Sequence, residues 1–476
     1  MVQMAKSGAP ERGSSLTRSG NVIRGHFSFF VCIVAAIAIV ARIGVLLMPG
    51  AIVGDPDGYR AIAENLVERG MFGHGDVPTA YRPPLYPLVL SPAVALGPWS
   101  RGAMALMHLA MGLATVWLTY RLGRQAGLGG YALAAAALVA CDPILLAQSA
   151  LVMTETLAAL LAAVSLALLV GASRRPSAGR AAAAGACVAL AVLCRPTFLP
   201  WTILAAVVLP LYARRKGPPS WLHAAAVFGS FVAGAAIVLA PWAVRNQVRF
   251  GRPILATTHG GYTFLLANNP YFYQHLRSGA WESVWSAEEL NRDFASRAAR
   301  AGVDNELAAD RLAYGLGWEN VRREPAMFLY SCAVRVGRLW APLPHRRSPE
   351  EGLAGRGLRY EVGVWYVCEL LLAVAGLLAV WRGRRASGEG PGLVATPLTL
   401  TLSQRERGHL ALSQGERGFL WLWAILLAGT FAAVHTVYWT DMRMRAPLVP
   451  AVALAAAAGL EGIVAAVRRR KCCGNR

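Results

Sequence analysis

The chain has 476 residues, of which 55% are hydrophobic and 15% charged. A soluble protein of this length carries about 25% charged residues, so the composition excludes an ordinary soluble enzyme. Formal net charge is +21, from 47 Lys and Arg against 26 Asp and Glu, but most of the excess sits in short loops between apolar runs, which argues against nucleic acid as a partner.

In chain order, residues 1–27 form a polar, basic tail expected in the cytoplasm. The run Ser28 to Met48 is too long for a signal-peptide core and lacks a convincing cleavage site, so it is expected to stay as a first span. Similar runs of about 20 residues match a hydrocarbon slab about 30 Å thick. About ten spans are expected, near 28–48, 102–122, 130–148, 152–171, 181–195, 197–212, 221–243, 362–382, 419–438 and 446–467. The fifth and sixth are short and turn at Arg195-Pro196-Thr197. The basic clusters Arg121/Arg124, Arg174/Arg175/Arg180, Arg214/Arg215/Lys216 and Arg468 to Lys471 then fall on one side, the cytoplasm by the positive-inside rule. This defines a bundle over 28–243 with a first periplasmic loop at 49–101, a periplasmic segment at 244–361, carboxy-terminal spans over 362–467 and a cytoplasmic tail at 468–476.

Within 244–361, Ser286-Ala287-Glu288-Glu289 reads as a capping box, and a second helix is expected from Asp304 to just before Glu324-Pro325. Residues 326–342 are apolar and aromatic but carry Arg335 and Arg338, which suggests a helix on or near the outer surface. The cytoplasmic stretch 383–418 repeats Leu400 to Gly408 at Leu410 to Gly418, as a low-complexity insertion would. The eight cysteines show neither disulfide nor zinc spacing.

The chemistry concentrates in the first loop, Gly54-Asp55-Pro56-Asp57-Gly58-Tyr59 through Asn65-Leu66, followed by Tyr81-Arg82-Pro83-Pro84-Leu85-Tyr86-Pro87. Asp followed by Pro is also what an N-cap and first helical position look like. Glu155 stands near the start of a span, where a carboxylate also suits the helix dipole. Arg42 could snorkel to the headgroups, Arg245 and Asn246 could anchor a span end, and Asp441 could pair with Arg443 or Arg445.

The first-loop pattern resembles that of bacterial C-type (GT-C) membrane glycosyltransferases, the protein mannosyltransferase-like and aminoarabinose transferase-like enzymes. Further matches follow in order at Ser149 to Glu155, Arg195-Pro196, Pro241 to Asn246, Asn268-Asn269-Pro270 and Asp441 to Pro447. The resemblance implies an all-α polytopic bundle in the bacterial inner membrane, with interfacial helices and a small periplasmic subdomain. It also implies inverting transfer of a sugar from a polyprenyl-phosphate carrier of the undecaprenyl type to a lipid, glycan or protein acceptor. The catalytic acid residue of the family's first loop maps to Asp55, the candidate general base. This chain has Asp55-Pro56-Asp57 where protein mannosyltransferases carry adjacent Asp and Glu, which leaves the aminoarabinose transferase-like branch more open.

Glycosyl transfer builds negative charge on the departing phosphate, and that charge needs cations set in place beforehand. Arg42, Arg82, Arg195, Arg245 and Arg443 are the expected candidates, with Tyr59, Glu155 and Asn246 completing the substrate-binding set. A divalent Mg or Mn ion bridging Asp55 and Glu155 is the other way to supply positive charge. Two further classes compete: a transporter or flippase of lipid-linked saccharides, and a membrane scaffold using 244–361 for a partner. The few ionisable residues within spans, and the absence of an evident inverted repeat, favour the enzyme.

Overall fold

The computed structural model describes residues 14–216, 221–279, 284–346, 350–386 and 404–473. Parts of the expected 1–27 tail, the 383–418 insertion and the 468–476 tail lie outside these residues. The backbone of the insertion's second half is described, and it is helical: one helix runs Gln404–Val437.

The described residues form an almost wholly helical molecule. Eight helices are long and apolar enough to cross a membrane, from Phe29–Leu46 to Met442–Arg470, and a bent pair makes up to nine. That pair is Tyr131–Cys141 with Pro143–Ser149, bent by 47°. The bend has a local cause. Pro143 brings no N–H, and Asp142 ends the first helix and caps the second by accepting from Leu145 N at 2.8 Å. The expected span at 181–195 is the helix Ala178–Cys194, of 17 residues. At 1.5 Å per residue its length is about 26 Å, short of the roughly 30 Å slab.

Side chains offer little contrast with lipid, so the helices associate through close backbone approach. Leu353–Ala386 and the last helix, Val449–Cys473, meet at Gly376 and Gly459. A Cβ at Gly459 would lie 2.0 Å from the Leu372 carbonyl oxygen, and one at Gly376 the same distance from that of Ala455. Gly185 and Gly234 make the equivalent approach between Ala178–Cys194 and Trp221–Phe250. Gly459→Ala is expected to cost about 1–3 kcal/mol, because the helices must move apart. Gly429→Ala, at a position with nothing within 4 Å, should be neutral or slightly stabilising. Thermal midpoints of the two variants in detergent check the contrast.

At one end of the bundle a two-stranded hairpin, Gly73–His74 paired with Val77–Pro78, interrupts the first loop. The loop is flanked by the helices Tyr59–Arg69 and Leu85–Val94. Short helices of the 244–361 segment cover the same end. The expected capping box does not form. The helix starts at Glu288 with Ala287 at its cap position and no side-chain cap bond. The next helix, Glu306–Arg323, is capped by Asn305 rather than Asp304, through a bond from Ala308 N. The 326–342 stretch is the helix Pro325–Trp340, and one face of it is packed inward. Arg335 is fully buried and donates to the carbonyls of Ala267 and Thr436, so this helix is bonded to its neighbours and does not merely float at an interface.

Candidate active site

The first loop is built around two carboxylates with different duties. Asp55 is the cap of Tyr59–Arg69: Oδ1 accepts from Tyr59 N at 2.8 Å, and Oδ2 accepts from Arg60 N at 2.9 Å and Ala61 N at 3.2 Å. Gly58, at φ +73°, makes the tight entry that lets this carboxylate reach back onto the helix. Asp57 instead faces Arg82. Its Oδ1 is 3.0 Å from Arg82 Nη2, and its carbonyl accepts from Arg82 Nε. The Arg82 guanidinium also lies 5.6 Å from the Tyr59 ring centre and 5.3 Å from that of Tyr81.

Beneath the loop, Tyr59 packs edge-on against Tyr86 at 5.3 Å, and the Tyr86 hydroxyl is 2.8 Å from His108 Nε2. The Ser149 carbonyl can only accept, so His108 Nδ1 carries the proton and Nε2 accepts from Tyr86. Burial pushes the Tyr59 hydroxyl well above its ordinary range and that of Tyr81 up to about 12. Both therefore act as neutral hydrogen-bonding groups.

Glu155 is the first residue of Glu155–Arg174 and is wholly buried. Its Oε1 is 3.0 Å from Arg195 Nη1 and 3.9 Å from Arg443 Nε. Arg195 occupies the extended break between Ala178–Cys194 and Pro196–Phe198, which aims its side chain across the bundle end. Arg443 projects from the 3-10 turn Met442–Leu448, capped by Asp441, which also accepts from Arg443 Nε at 3.1 Å. The charges of the two loops meet. Tyr59 feels Arg82, Asp57, Arg195 and Glu155; Tyr86 feels Glu155 and Asp55; and Arg443 feels Glu155 and Asp57. The structure thus brings together Asp55, Asp57, Tyr59, Arg82, Glu155, Arg195 and Arg443 from four stretches of chain.

Three expected members stand elsewhere. Arg42 does not snorkel. It is 1% exposed and donates to the carbonyls of Val139 and Ala140 deep in the bundle, its stem lying where only Gly112 leaves room. Arg245 holds the hairpin, donating to the Phe72 and Thr79 carbonyls and stacking 4.9 Å from the Trp242 ring centre. Asn246 accepts from Arg245 and donates to the Ile254 carbonyl. Both therefore serve as anchors.

Glu306 was not singled out in the sequence. It clasps the hairpin to the covering segment, accepting from Thr79 Oγ1 and Ala80 N, both at 2.7 Å. No local spacing marks a pair 226 residues apart. Asp57 was visible only as the neighbour of Asp55. His259, stacked on Tyr262 and 4.3 Å from Tyr81, is driven down to about 3 by burial and then by Arg82, so it stays neutral.

The residues present do not suit a divalent ion bridging Asp55 and Glu155. The Asp55 oxygens are committed to three backbone N–H groups, and Glu155 faces two guanidinium groups. Among the described residues no group of three or more His, Cys, Asp or Glu gathers at ligand distance.

The fold and site together define an all-α, multi-pass membrane protein with a charged cluster at one end of its bundle. No family model and no curated protein matches the sequence. Among solved structures, the chain is similar to the Archaeoglobus fulgidus oligosaccharyltransferase AglB in complex with an inhibitory peptide and a dolichol-phosphate. That match has 16% identity and a TM-score of 0.50, covering 94% of this chain and 51% of that one. The chain therefore spans about half the length of the archaeal protein. ArnT from Cupriavidus metallidurans bound to undecaprenyl phosphate also matches, at 15% identity and a TM-score of 0.40, over 89% of this chain and 77% of that one. The AglB likeness establishes the fold.

Proposed function

We propose that this chain is a glycosyltransferase of the bacterial inner membrane, moving a sugar from a polyprenyl-phosphate donor to a cell-envelope acceptor at the periplasmic face. The observation that carries this reading is the convergence of Arg195 and Arg443 on Glu155 beside the first-loop carboxylates. Fold alone does not confer function. The AglB structure, solved with a dolichol-phosphate, supports the reading by showing a polyprenyl phosphate bound to this fold.

In the proposed reaction an acceptor oxygen attacks the anomeric carbon from the side opposite the phosphate. The bond from that carbon to the phosphate oxygen breaks, and the acceptor's proton passes to a carboxylate. Asp55 takes that proton. Its oxygens accept three backbone bonds, one on Oδ1 and two on Oδ2, which leaves a lone pair on Oδ1 and fixes the group in direction. The departing phosphate moves onto Arg443, whose side chain is 32% exposed, with Arg195 behind it. The acceptor is a lipid, glycan or protein.

The test uses purified protein in nanodiscs, with undecaprenyl phosphate as probe and native mass spectrometry as readout. Losing one charge-assisted partner is worth about 1.5–3 kcal/mol, so Arg443→Ala should bind the lipid about tenfold or more weakly. Equal binding by the variant and the wild type would remove Arg443 from the site. Mass spectrometry of envelope glycolipids and glycoproteins, from cells with and without the gene, should show one glycosylated species lost. An unchanged profile with lipid-linked sugar flux across the membrane would instead favour a flippase.

A further inference from the structure

A second buried cluster lies under the turn that carries Arg443. Arg445, on the same turn, is 3% exposed and points inward. Its Nη1 donates to the Ala341 carbonyl at 2.8 Å, and its guanidinium lies 4.0 Å from the centre of the Tyr366 ring. The Tyr366 hydroxyl donates to Asp142 Oδ2 at 3.1 Å and accepts from Ile144 N at 3.0 Å. The stack thus ties the Arg443 turn to the bend between Tyr131–Cys141 and Pro143–Ser149.

One end of this stack is open. Arg445 Nη2, Glu369 Oε1 and the Trp365 indole Nε1 are all buried and make no hydrogen bond of normal geometry among the described residues, the indole lying close enough to Glu369 to act on its carboxylate. Glu369 is 3% exposed and within electrostatic range of Arg445 and Asp142. Arg445 and Glu369 line one small cavity with Trp340 and Tyr366, which leaves about 10 Å³ for the centre of a solvent molecule. That is the room one water needs, and a buried water is held by unsatisfied polar groups of this kind. Two orphaned polar atoms on a dry cavity would each carry a desolvation cost that one bridging water removes.

We propose that Glu369 is a positioning residue, which holds a single water against Arg445 and so fixes the turn that presents Arg443 to the donor phosphate. The proposal rests on the reading of Arg443 given above. Glu369 touches no substrate and acts through the water, Arg445 and the backbone of Met442–Leu448. The role needs an acceptor oxygen at that place and does not need a charge, so Gln should replace Glu.

The experiment compares wild type, Glu369→Gln and Glu369→Leu as full chains in nanodiscs. Leu removes the acceptor with little change in side-chain volume. Backbone amide exchange, read by mass spectrometry over 441–448, should rise about tenfold in the Leu variant and stay near wild type in the Gln variant. Undecaprenyl phosphate binding should weaken about tenfold with Leu and hold with Gln, since small displacements of a positioned group are costly. Unchanged exchange in Glu369→Leu overturns the proposal whatever the lipid does. So does a Gln variant as loose as the Leu variant. Raised exchange in the Leu variant with undiminished lipid binding upholds the positioning of the turn and instead overturns Arg443 as the phosphate ligand.

Discussion

Asp55→Asn should leave the protein folded and inserted while lowering sugar transfer by about 10²–10⁴-fold, the usual contribution of a general base. The contrast is sharp because Asp55 does two things at once. Its carboxylate caps Tyr59–Arg69, and in the proposed reaction it also takes the acceptor's proton. Asn offers one acceptor oxygen where Asp55 uses two, so it keeps part of the cap at some cost in stability, and its amide cannot accept that proton. Asp55→Ala removes both functions and should add about 1 kcal/mol of lost stability. Thermal midpoint and transfer rate, measured on the same reconstituted samples, separate the two contributions. If Asp55→Asn transferred sugar at the wild-type rate, the carboxylate would be a cap alone. The neighbouring Asp57, held by Arg82, would become the next candidate.

The second large effect is on stability. Glu155→Ala is expected to cost about 3–5 kcal/mol, since it strands a buried guanidinium without its counter-charge. The Arg195 side chain is only 13% exposed, and Glu155 is its ion-pair partner. Arg443 suffers less, because Asp441 remains beside it. Replacing both partners, as Glu155→Leu with Arg195→Met, should recover most of the loss, since apolar pairs of similar volume often match a buried ion pair. The double variant should still fail to turn over donor. Thermal unfolding in detergent gives the stabilities. A single variant that melts with the wild type would mean that water, and not Glu155, balances Arg195 at this end of the bundle.

The cluster's design follows from its place. A carboxylate at the start of Glu155–Arg174 sits at the positive end of that helix's dipole. It is then flanked by two guanidinium groups whose own helices break at proline-containing turns, Arg195-Pro196 and the 442–448 turn with Pro447. Proline removes a backbone donor and ends regular helix, so the chain at these points can direct a side chain across the bundle end. The first loop completes the site because Arg245 and Glu306 pin its hairpin from two sides. A change at either residue would loosen the loop without touching the reacting groups.

Sequence by itself determined the membrane class, because runs of apolar residues need only be counted against the thickness of a bilayer. It also located most of the apolar helices, though not the bend at Pro143 or the helix through 404–418, and it marked the first loop, since Asp-Pro-x-Gly before an amphipathic stretch is a local cap signal. What it left open was every contact between distant segments. Arg42, Arg195, Arg245 and Arg443 are alike in sequence, each an arginine near the end of an apolar run. Only packing separated them: Arg42 went to carbonyls inside the bundle, Arg245 to the hairpin, and Arg195 and Arg443 to Glu155. A guanidinium binds whichever acceptor the neighbouring helix presents, and that choice is made by helix crossings set at glycines such as Gly376 and Gly459. Glu306 was silent for the same reason, since its partners lie far along the chain and come within reach only once the helices have packed.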